Sequence, residues 1–261
     1  MSISGWWREL PRHFLGIAAV LFSATLLGCG GSAASEEPRV AEPITVYAAS
    51  SLRDALPQIA PGQRYNFASS GTLQTQIERG APADVFASAS PQEAQALSRA
   101  GLCARPVTFA TNDVVMLVPQ RDPGGVRSVH DLRNGTRRLA VGAAGVPVGD
   151  YTRELLARMR ASSILSTNTV TLEPDAAGIT AKVALGSVDV GFTYRTDGRI
   201  VADRVDMIGL PRWAQPPVRY QACIVRRDGT DTAVARKFIN NLVGKKGRAV
   251  LRSGGFGLPP S

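Results

Sequence analysis

Short apolar runs alternate with amphipathic stretches along most of the chain. The runs at 44–49, 65–68 and 84–87 are rich in β-forming residues, and apolar positions with helical spacing follow each of them. This alternation is typical of βα units and predicts an α/β fold. We expect further strands at 113–118, 139–141, 169–172, 188–194 and 218–225. The predicted helices run to 59, over 72–80, from 90 to before 101, and over 149–160, 176–185 and 232–251.

The first 28 residues have a different pattern. Arg8 and Arg12 precede an apolar run over 14–27, and the small residue Gly28 and then Cys29 follow it. A charged start, an apolar middle and a small-residue end are typical of a secretory signal peptide. The run has about 14 residues, fewer than the ~20 that a membrane-spanning helix needs. Cysteine directly after Leu-Leu-Gly resembles a bacterial lipobox, which predicts removal of 1–28 and a lipid on Cys29; the alternative is a plain cleavable signal with an incidental thiol.

Residues 29–43 are rich in Gly, Ser, Ala and Glu and show no periodicity. This composition predicts a flexible tether between the membrane and the folded part of the chain. Both interpretations of the signal place the remainder outside the cytoplasm. We therefore expect an exported protein, lipid-anchored on the outer face of the cytoplasmic membrane and facing the periplasm.

The net charge and the cysteines narrow the possible partners. The net charge is +9, but the cationic residues are scattered and no aromatic residues interleave them. This pattern does not favour nucleic acid, and the basic field suits anions or anionic lipid headgroups instead. With Cys29 assigned to the lipid, Cys103 and Cys223 remain as an even pair in an oxidising compartment. We predict a disulfide between them; the alternative is two buried thiols.

Small and hydroxylic residues occupy four predicted strand-to-helix junctions, at 48–52, 67–72, 145–151 and 173–178. The first N–H groups of a helix have no partner within the helix, so a helix start attracts anions without a cationic side chain. Ligands of open α/β sheets also lie at the carboxyl ends of the strands. Converging junctions predict a cage of neutral donors for an ionised oxyanion. The alternative is that the serines only cap helices, since Ser51–Asp54 fits the capping-box spacing. Outside these junctions, Ser90–Glu93 also fits a capping box, with proline at the first helical position.

Catalysis has little support in the sequence. His130 is the only histidine after the signal, and we expect it at a solvated helix start. No Gly-x-Ser-x-Gly motif is present, and one histidine with two distant cysteines offers no metal-ligand spacing. Asp84, Asp189 and Asp197 flank strands, where capping and loop roles are expected. We predict a protein that is not an enzyme and has no cofactor.

The motifs at 44–52, 67–73 and 76–89, including Gly-Ala-Pro-Ala-Asp at 80–84, resemble those of the periplasmic molybdate-binding proteins of bacterial ABC transporters. The resemblance continues through 112–119, 139–142, 146–149 and 182–197 and covers nearly all of 44–261. It implies a type II periplasmic-binding-protein fold with two α/β lobes, each a mixed sheet flanked by helices, joined by two crossover strands that act as a hinge. The implied lobe 1 comprises 44–111 and 218–261, and the implied lobe 2 comprises 112–217.

The resemblance also implies a ligand, partners and site residues. Molybdate or tungstate would close between the lobes of a monomer, which would then deliver it to a membrane permease. Five residues match the family's ligand contacts: the hydroxyl groups of Ser51, Ser70 and Tyr194, and the backbone amides of Val148 and Ala176. One departure is that Ala-Ala at 176–177 replaces the common Val-Arg pair. A short first helix is the other.

The sequence leaves two alternatives open. One is a receptor for sulfate, phosphate or a small organic anion on the same fold, and the other is a tethered domain with no role in transport. Molybdate, tungstate and sulfate carry no proton at neutral pH and need only donors, whereas phosphate keeps a proton and favours an acceptor carboxylate. Neither serine junction contains a carboxylate apart from Asp54, although Asp150 and Asp175 lie near the other two.

Overall fold

A computed structural model describes residues 42–121 and 124–259. The predicted signal peptide, Cys29 and most of the predicted tether lie outside the described residues. Within the described part of the chain, no helix is long and apolar enough to cross a membrane.

The first of two sheets is formed by strands from both ends of the described chain. Its strands are β1 (Thr45–Ala49), β2 (Arg64–Ala68), β3 (Val85–Ser88), β4 (Val107–Thr111) and β10 (Arg219–Ile224). They lie in the order β2-β1-β3-β10-β4. β1 pairs in parallel with β2 and β3, and β10 pairs antiparallel with β3 and β4.

The middle of the chain forms the second sheet. Its strands are β5 (Val114–Pro119), β6 (Arg138–Gly142), β7 (Thr169–Glu173), β8 (Val190–Tyr194) and β9 (Val205–Gly209). They lie in the order β7-β6-β8-β5-β9, with β6 parallel to β7 and β8, and β5 antiparallel to β8 and β9. Two mixed sheets confirm the predicted two-lobed α/β fold.

Helices cover the faces of both sheets. They are α1 (Leu56–Ile59), α2 (Ser70–Glu78), α3 (Pro91–Arg99), α4 (Pro147–Arg158), α5 (Ile164–Thr167), α6 (Ala176–Ala184), α7 (Arg195–Ile200), α8 (Thr232–Val243) and α9 (Lys245–Ser253). Short 3-10 helices lie at Ser50–Leu52, Val129–Leu132 and Arg212–Ala214.

The chain passes between the sheets twice, after β4 and before β10, and the two crossing segments bond to each other. The Asn112 N–H donates to the Val218 carbonyl at 3.4 Å. The Gln215 side chain accepts from the Val114 N–H at 3.0 Å and donates to the Val114 carbonyl at 2.8 Å. These bonds hold the segments side by side, as a hinge of two crossing strands requires. The exact lobe boundaries, between residues 111 and 112 and between 217 and 218, stay a prediction.

A disulfide closes the apolar layer on one side of the first sheet. Cys103 and Cys223 are joined, with their Cα atoms 5.9 Å apart, in a cluster that includes Leu73, Phe86 and Leu97. The larger hydrophobic cluster extends through both sheets. The two cysteines are therefore buried in the hydrophobic core and joined there by the disulfide.

Several predicted elements were wrong in their bounds. The single helix expected over 232–251 is two helices, because the backbone at Gly244 is extended, with φ −73° and ψ 173°. The helix after β2 begins at Ser70, two residues earlier than predicted, because Ser69 caps it by accepting the Thr72 N–H. β4 and β9 were not predicted; their sequences, VTFAT and VDMIG, interrupt the apolar run with polar residues or glycine.

Both predicted capping boxes were wrong in their chemistry. No side chain caps the 3-10 helix at Ser50–Leu52, and the Ser51 hydroxyl bonds elsewhere. Ser90 does cap its helix by accepting the Gln92 N–H at 3.2 Å. The Glu93 carboxylate, however, accepts the hydroxyl groups of Ser88 and Ser90. Burial raises the pKa of Glu93, and these hydroxyl donors oppose that rise.

Candidate functional site

A small cavity lies between helices of the two lobes, where the first turns of helices that follow strands of both sheets face each other. The space there that no atom fills, including the part open to solvent, is about 210 Å³. All five predicted ligand-binding residues line it: Ser51, Ser70, Val148, Ala176 and Tyr194. The remaining lining residues are Ala49, Ser50, Ala68, Ser69, Ala89, Val146, Pro147 and Asp175. Within the described ranges, no lysine or arginine lines this cavity. The sequence motifs therefore converge on a site without cationic side chains.

The first serine follows β1. The chain turns directly from Ala49 into the 3-10 helix Ser50–Leu52, so the Ser51 N–H belongs to a helix start and lacks a partner within the helix. The side chain of Ser51 is buried, and its Oγ lies 2.9 Å from the Tyr220 Oη. This bond occupies one side of the hydroxyl and leaves the rest of it available to the cavity.

The second serine is the first residue of α2. Ser69 caps this helix, so the Ser70 side chain is free of a capping role. The Ser70 Oγ accepts the N–H of Ala89, the residue that follows β3, at 3.0 Å. Ser70 is fully buried, and its hydroxyl hydrogen remains available for donation.

The start of α4 brings Val148 to the cavity. Pro147 occupies the first turn, and no side chain caps the helix. A Cβ on Gly149 would lie 2.2 Å from the Gly142 carbonyl oxygen, so only glycine lets the helix approach the end of β6 this closely. The Val148 N–H is a first-turn donor without an intrahelical partner. The tight packing therefore aims a helix N-terminus at the cavity.

The start of α6 contributes Ala176 and a carboxylate. Asp175 caps this helix by accepting the Gly178 N–H at 2.9 Å, and it also lines the cavity. Ala176 is the first helical residue, so its N–H has no partner within the helix. The sequence left open whether Asp175 approaches the site, and the structure places it there, with one carboxylate oxygen engaged in capping.

Tyr194 closes the cavity at the end of β8. Its side chain is buried, and its hydroxyl has no hydrogen-bond partner among the described residues. Burial raises the pKa of Tyr194 well above its ordinary value, so the phenol stays protonated. An unpartnered buried donor is costly unless something accepts from it. The geometry therefore calls for an acceptor inside the cavity.

Three side chains behind the cavity were missed as site residues. Tyr220 contacts Ser51, and Asn112 Nδ2 donates to the Tyr220 hydroxyl at 3.2 Å. Asn112 Nδ2 also donates to Thr196 Oγ1 at 2.9 Å. No local sequence signal marks this group, because its members lie up to 108 positions apart.

The three strand-flanking carboxylates have different roles. Asp84 and Asp189 lie in loops, accept the N–H groups of Thr45 and Arg138 respectively, and pair with arginines. The loop or capping role expected for Asp197 was wrong: it lies buried in the first turn of α7 and accepts the Thr196 hydroxyl at 3.2 Å. Burial raises the pKa of Asp197 to about 7.

The described residues hold no group of three or more His, Cys, Asp or Glu side chains arranged to bind a metal ion. His130 lies exposed in the 3-10 helix Val129–Leu132, in agreement with the expected solvated helix start. The site therefore offers hydrogen-bond donors, with one carboxylate at its edge.

Residues 44–257 match the family described as bacterial extracellular solute-binding protein. The chain is 32% identical to the molybdate-binding protein ModA of Mycobacterium tuberculosis, over 94% of this chain and 97% of that protein. It is also 32% identical to ModA of Haemophilus influenzae, over 82% and 89% of the two chains. The structure of the periplasmic molybdate-binding protein of Azotobacter vinelandii superposes with a TM-score of 0.75 at 22% identity, covering 83% and 100% of the two chains, and shows the same fold.

Proposed function

The chain belongs to the family of bacterial extracellular solute-binding proteins, and on that premise we propose that it captures molybdate, or the related tungstate, between its two lobes. In this proposal the closed protein delivers the anion to the membrane permease of an ABC transporter. The ligand would be held by the hydroxyl groups of Ser51, Ser70 and Tyr194 and by the amides of Val148 and Ala176.

The observation that carries the proposal is a cavity whose five proposed donor residues are all buried and all neutral. Each hydrogen bond to a charged group contributes about 1.5–3 kcal/mol. Five such bonds supply roughly 7–15 kcal/mol, compared with about 8–12 kcal/mol for micromolar to nanomolar affinity. Uncharged hydroxyl and amide groups are therefore sufficient to hold a dianion here.

The residues that line the cavity should discriminate between oxyanions that carry a proton and those that carry none. Molybdate, tungstate and sulfate are pure acceptors, which suits the unpartnered Tyr194 hydroxyl and the free helix N–H groups. Phosphate would need an acceptor, whereas the described lining residues offer mainly donors: their one carboxylate, Asp175, has one oxygen engaged by the Gly178 N–H and only the other free to accept. This favours a proton-free anion.

Calorimetry on the purified full chain tests the proposal with molybdate, tungstate, sulfate and phosphate in separate titrations. We expect heat with molybdate and tungstate and much weaker binding of phosphate. Stronger binding of sulfate than of molybdate would favour the alternative receptor. Absence of binding to every oxyanion would leave the tethered non-transport domain.

A double variant tests the residues. Ser51→Ala with Ser70→Ala removes two bonds to the anion and should weaken molybdate binding by about 3–6 kcal/mol while circular dichroism stays unchanged. The matched control is Ser162→Ala with Ser187→Ala, which alters two exposed serines away from the cavity and should leave affinity unchanged. Equal affinities in the two double variants would refute this site.

The proposal includes export and a lipid on Cys29, so that the protein stays at the outer face of the cytoplasmic membrane. Its support is the signal-like segment that precedes Cys29. Cys29→Ser should release the protein from the membrane fraction. Unchanged membrane association would contradict the anchor without affecting the oxyanion site.

A further inference from the structure

Tyr220 lies directly behind the first serine of the cavity. It follows the second crossing segment, its side chain is fully buried, and its ring packs edge-to-face against Tyr194 and Phe256 at 5.9 and 5.4 Å between centroids. This packing fixes the ring, so its hydroxyl is held 2.9 Å from the Ser51 Oγ.

The Asn112 side chain determines which atom of that bond donates. The Asp113 N–H donates to the Asn112 Oδ1 at 3.0 Å, which turns the Nδ2 towards Thr196 and Tyr220. An amide nitrogen of this kind only donates. The Tyr220 oxygen must therefore accept from Asn112, and its own hydrogen points elsewhere.

Ser51 receives that hydrogen. Within residues 42–121 and 124–259, the Ser51 Oγ is the one acceptor at hydrogen-bond distance from the Tyr220 hydroxyl. Burial raises the pKa of Tyr220 above its ordinary value, so the hydroxyl keeps its proton. Ser51 accepts from Tyr220, and its own hydrogen is left to point into the cavity.

We propose that Tyr220 is a positioning residue that, oriented by Asn112, holds the Ser51 hydroxyl as a donor towards the bound oxyanion. The inference rests on the proposed function of the cavity. The Ser70 hydroxyl is also oriented as a donor, but by a backbone group, because its Oγ accepts the Ala89 N–H. Both serines thus present hydrogens to the ligand, which favours anions that carry no proton of their own.

A double-mutant cycle tests this role. Tyr220→Phe keeps the packed ring and removes the hydroxyl, and molybdate affinity should fall about 3- to 10-fold as Ser51 loses its orientation. In the Ser51→Ala background the same change should have almost no further effect, because the residue through which Tyr220 acts is absent. A purely structural role would lower affinity by the same factor in both backgrounds.

Ser70→Ala provides the matched control. Since Ser70 is oriented by Ala89, Tyr220→Phe should keep its full effect in the Ser70→Ala background. Equal effects in all three backgrounds, or no effect of Tyr220→Phe on the wild type, would overturn the inference. If wild-type protein binds no molybdate, the proposed function itself fails, which is a distinct outcome.

A second variant keeps the inference testable if Tyr220→Phe does not fold. Asn112→Asp is nearly isosteric but presents an acceptor to the Tyr220 hydroxyl, which draws its hydrogen away from Ser51. The new charge repels the ligand equally in wild type and in Ser51→Ala. The cycle with Ser51→Ala therefore isolates the loss of affinity that is transmitted through the Ser51 hydroxyl. Molybdate affinity should fall further in wild type than in Ser51→Ala; equal losses would refute the transmission.

Discussion

Gly71 is the place where a single methyl group should oppose closure of the lobes. It lies in the first turn of α2, and a Cβ built on it would be 2.9 Å from the carbonyl oxygen of Gly145, in the loop between β6 and α4. α2 follows a strand of the first sheet and the Gly145 loop follows a strand of the second, so this contact lies between the two lobes. Gly71→Ala therefore introduces a contact that exists only when the cavity is closed.

The distance to the Gly145 carbonyl oxygen sets the size of the expected loss of molybdate affinity. The new contact is 0.5 Å shorter than the 3.4 Å at which ordinary contact begins, so the two segments must separate by about this distance. A hydrogen bond of about 2.9 Å across the cavity would lengthen to about 3.4 Å, near the limit of a useful bond. Loss of one bond to the charged ligand costs about 1.5–3 kcal/mol, or roughly 10- to 150-fold in affinity.

The ligand-free protein should respond in the opposite direction. Alanine is more favourable than glycine inside a helix by about 1 kcal/mol, so Gly71→Ala should not lower the thermal midpoint when no anion is bound. Molybdate calorimetry and thermal unfolding of the same preparations measure both effects. Gly209→Ala is the control, because Gly209 is exposed on β9 and its added Cβ would meet nothing within 4 Å.

Equal molybdate affinities of Gly71→Ala and Gly209→Ala would refute the predicted contact between the lobes. A fall in affinity together with a fall in ligand-free stability would also refute it, since that would indicate general damage to α2.

Two further predictions concern buried groups. Folding retains a proton on Asp197, whose pKa rises from 3.8 to about 7, so its contribution to stability falls as pH rises through that interval and stays lost above it. Asp197→Asn removes this slope, and its free energy of unfolding relative to wild type should rise by about 2–3 kcal/mol between pH 5 and 8 in urea titrations; a pH-independent difference would refute it. Reduction of the Cys103–Cys223 bond, which spans a sequence separation of 120, should lower the free energy of unfolding by up to about 5 kcal/mol, and two titratable thiols from this pair in the unreduced chain would contradict the pairing.

Local patterns were enough to predict most of the fold. Eight of the ten strands in the described residues carry continuous or alternating apolar residues, and small residues mark the junctions that follow β1, β2, β6 and β7. The same junctions supply four of the five predicted site residues, since a strand end and the helix start behind it are adjacent in sequence. Tyr194 ends β8 and was found only through the family resemblance.

Local patterns failed where partners are distant in the chain. Nothing around Tyr220 indicates that it meets Ser51, and nothing around Asp197 indicates burial, because both depend on how the crossing segments bring two sheets together. Short-range periodicity thus specified strands, helices and the donors at their ends, all of which arise from neighbouring residues. The direction of each donor, and the burial that makes it effective, arise from contacts between residues far apart in sequence and exist only once both sheets have packed.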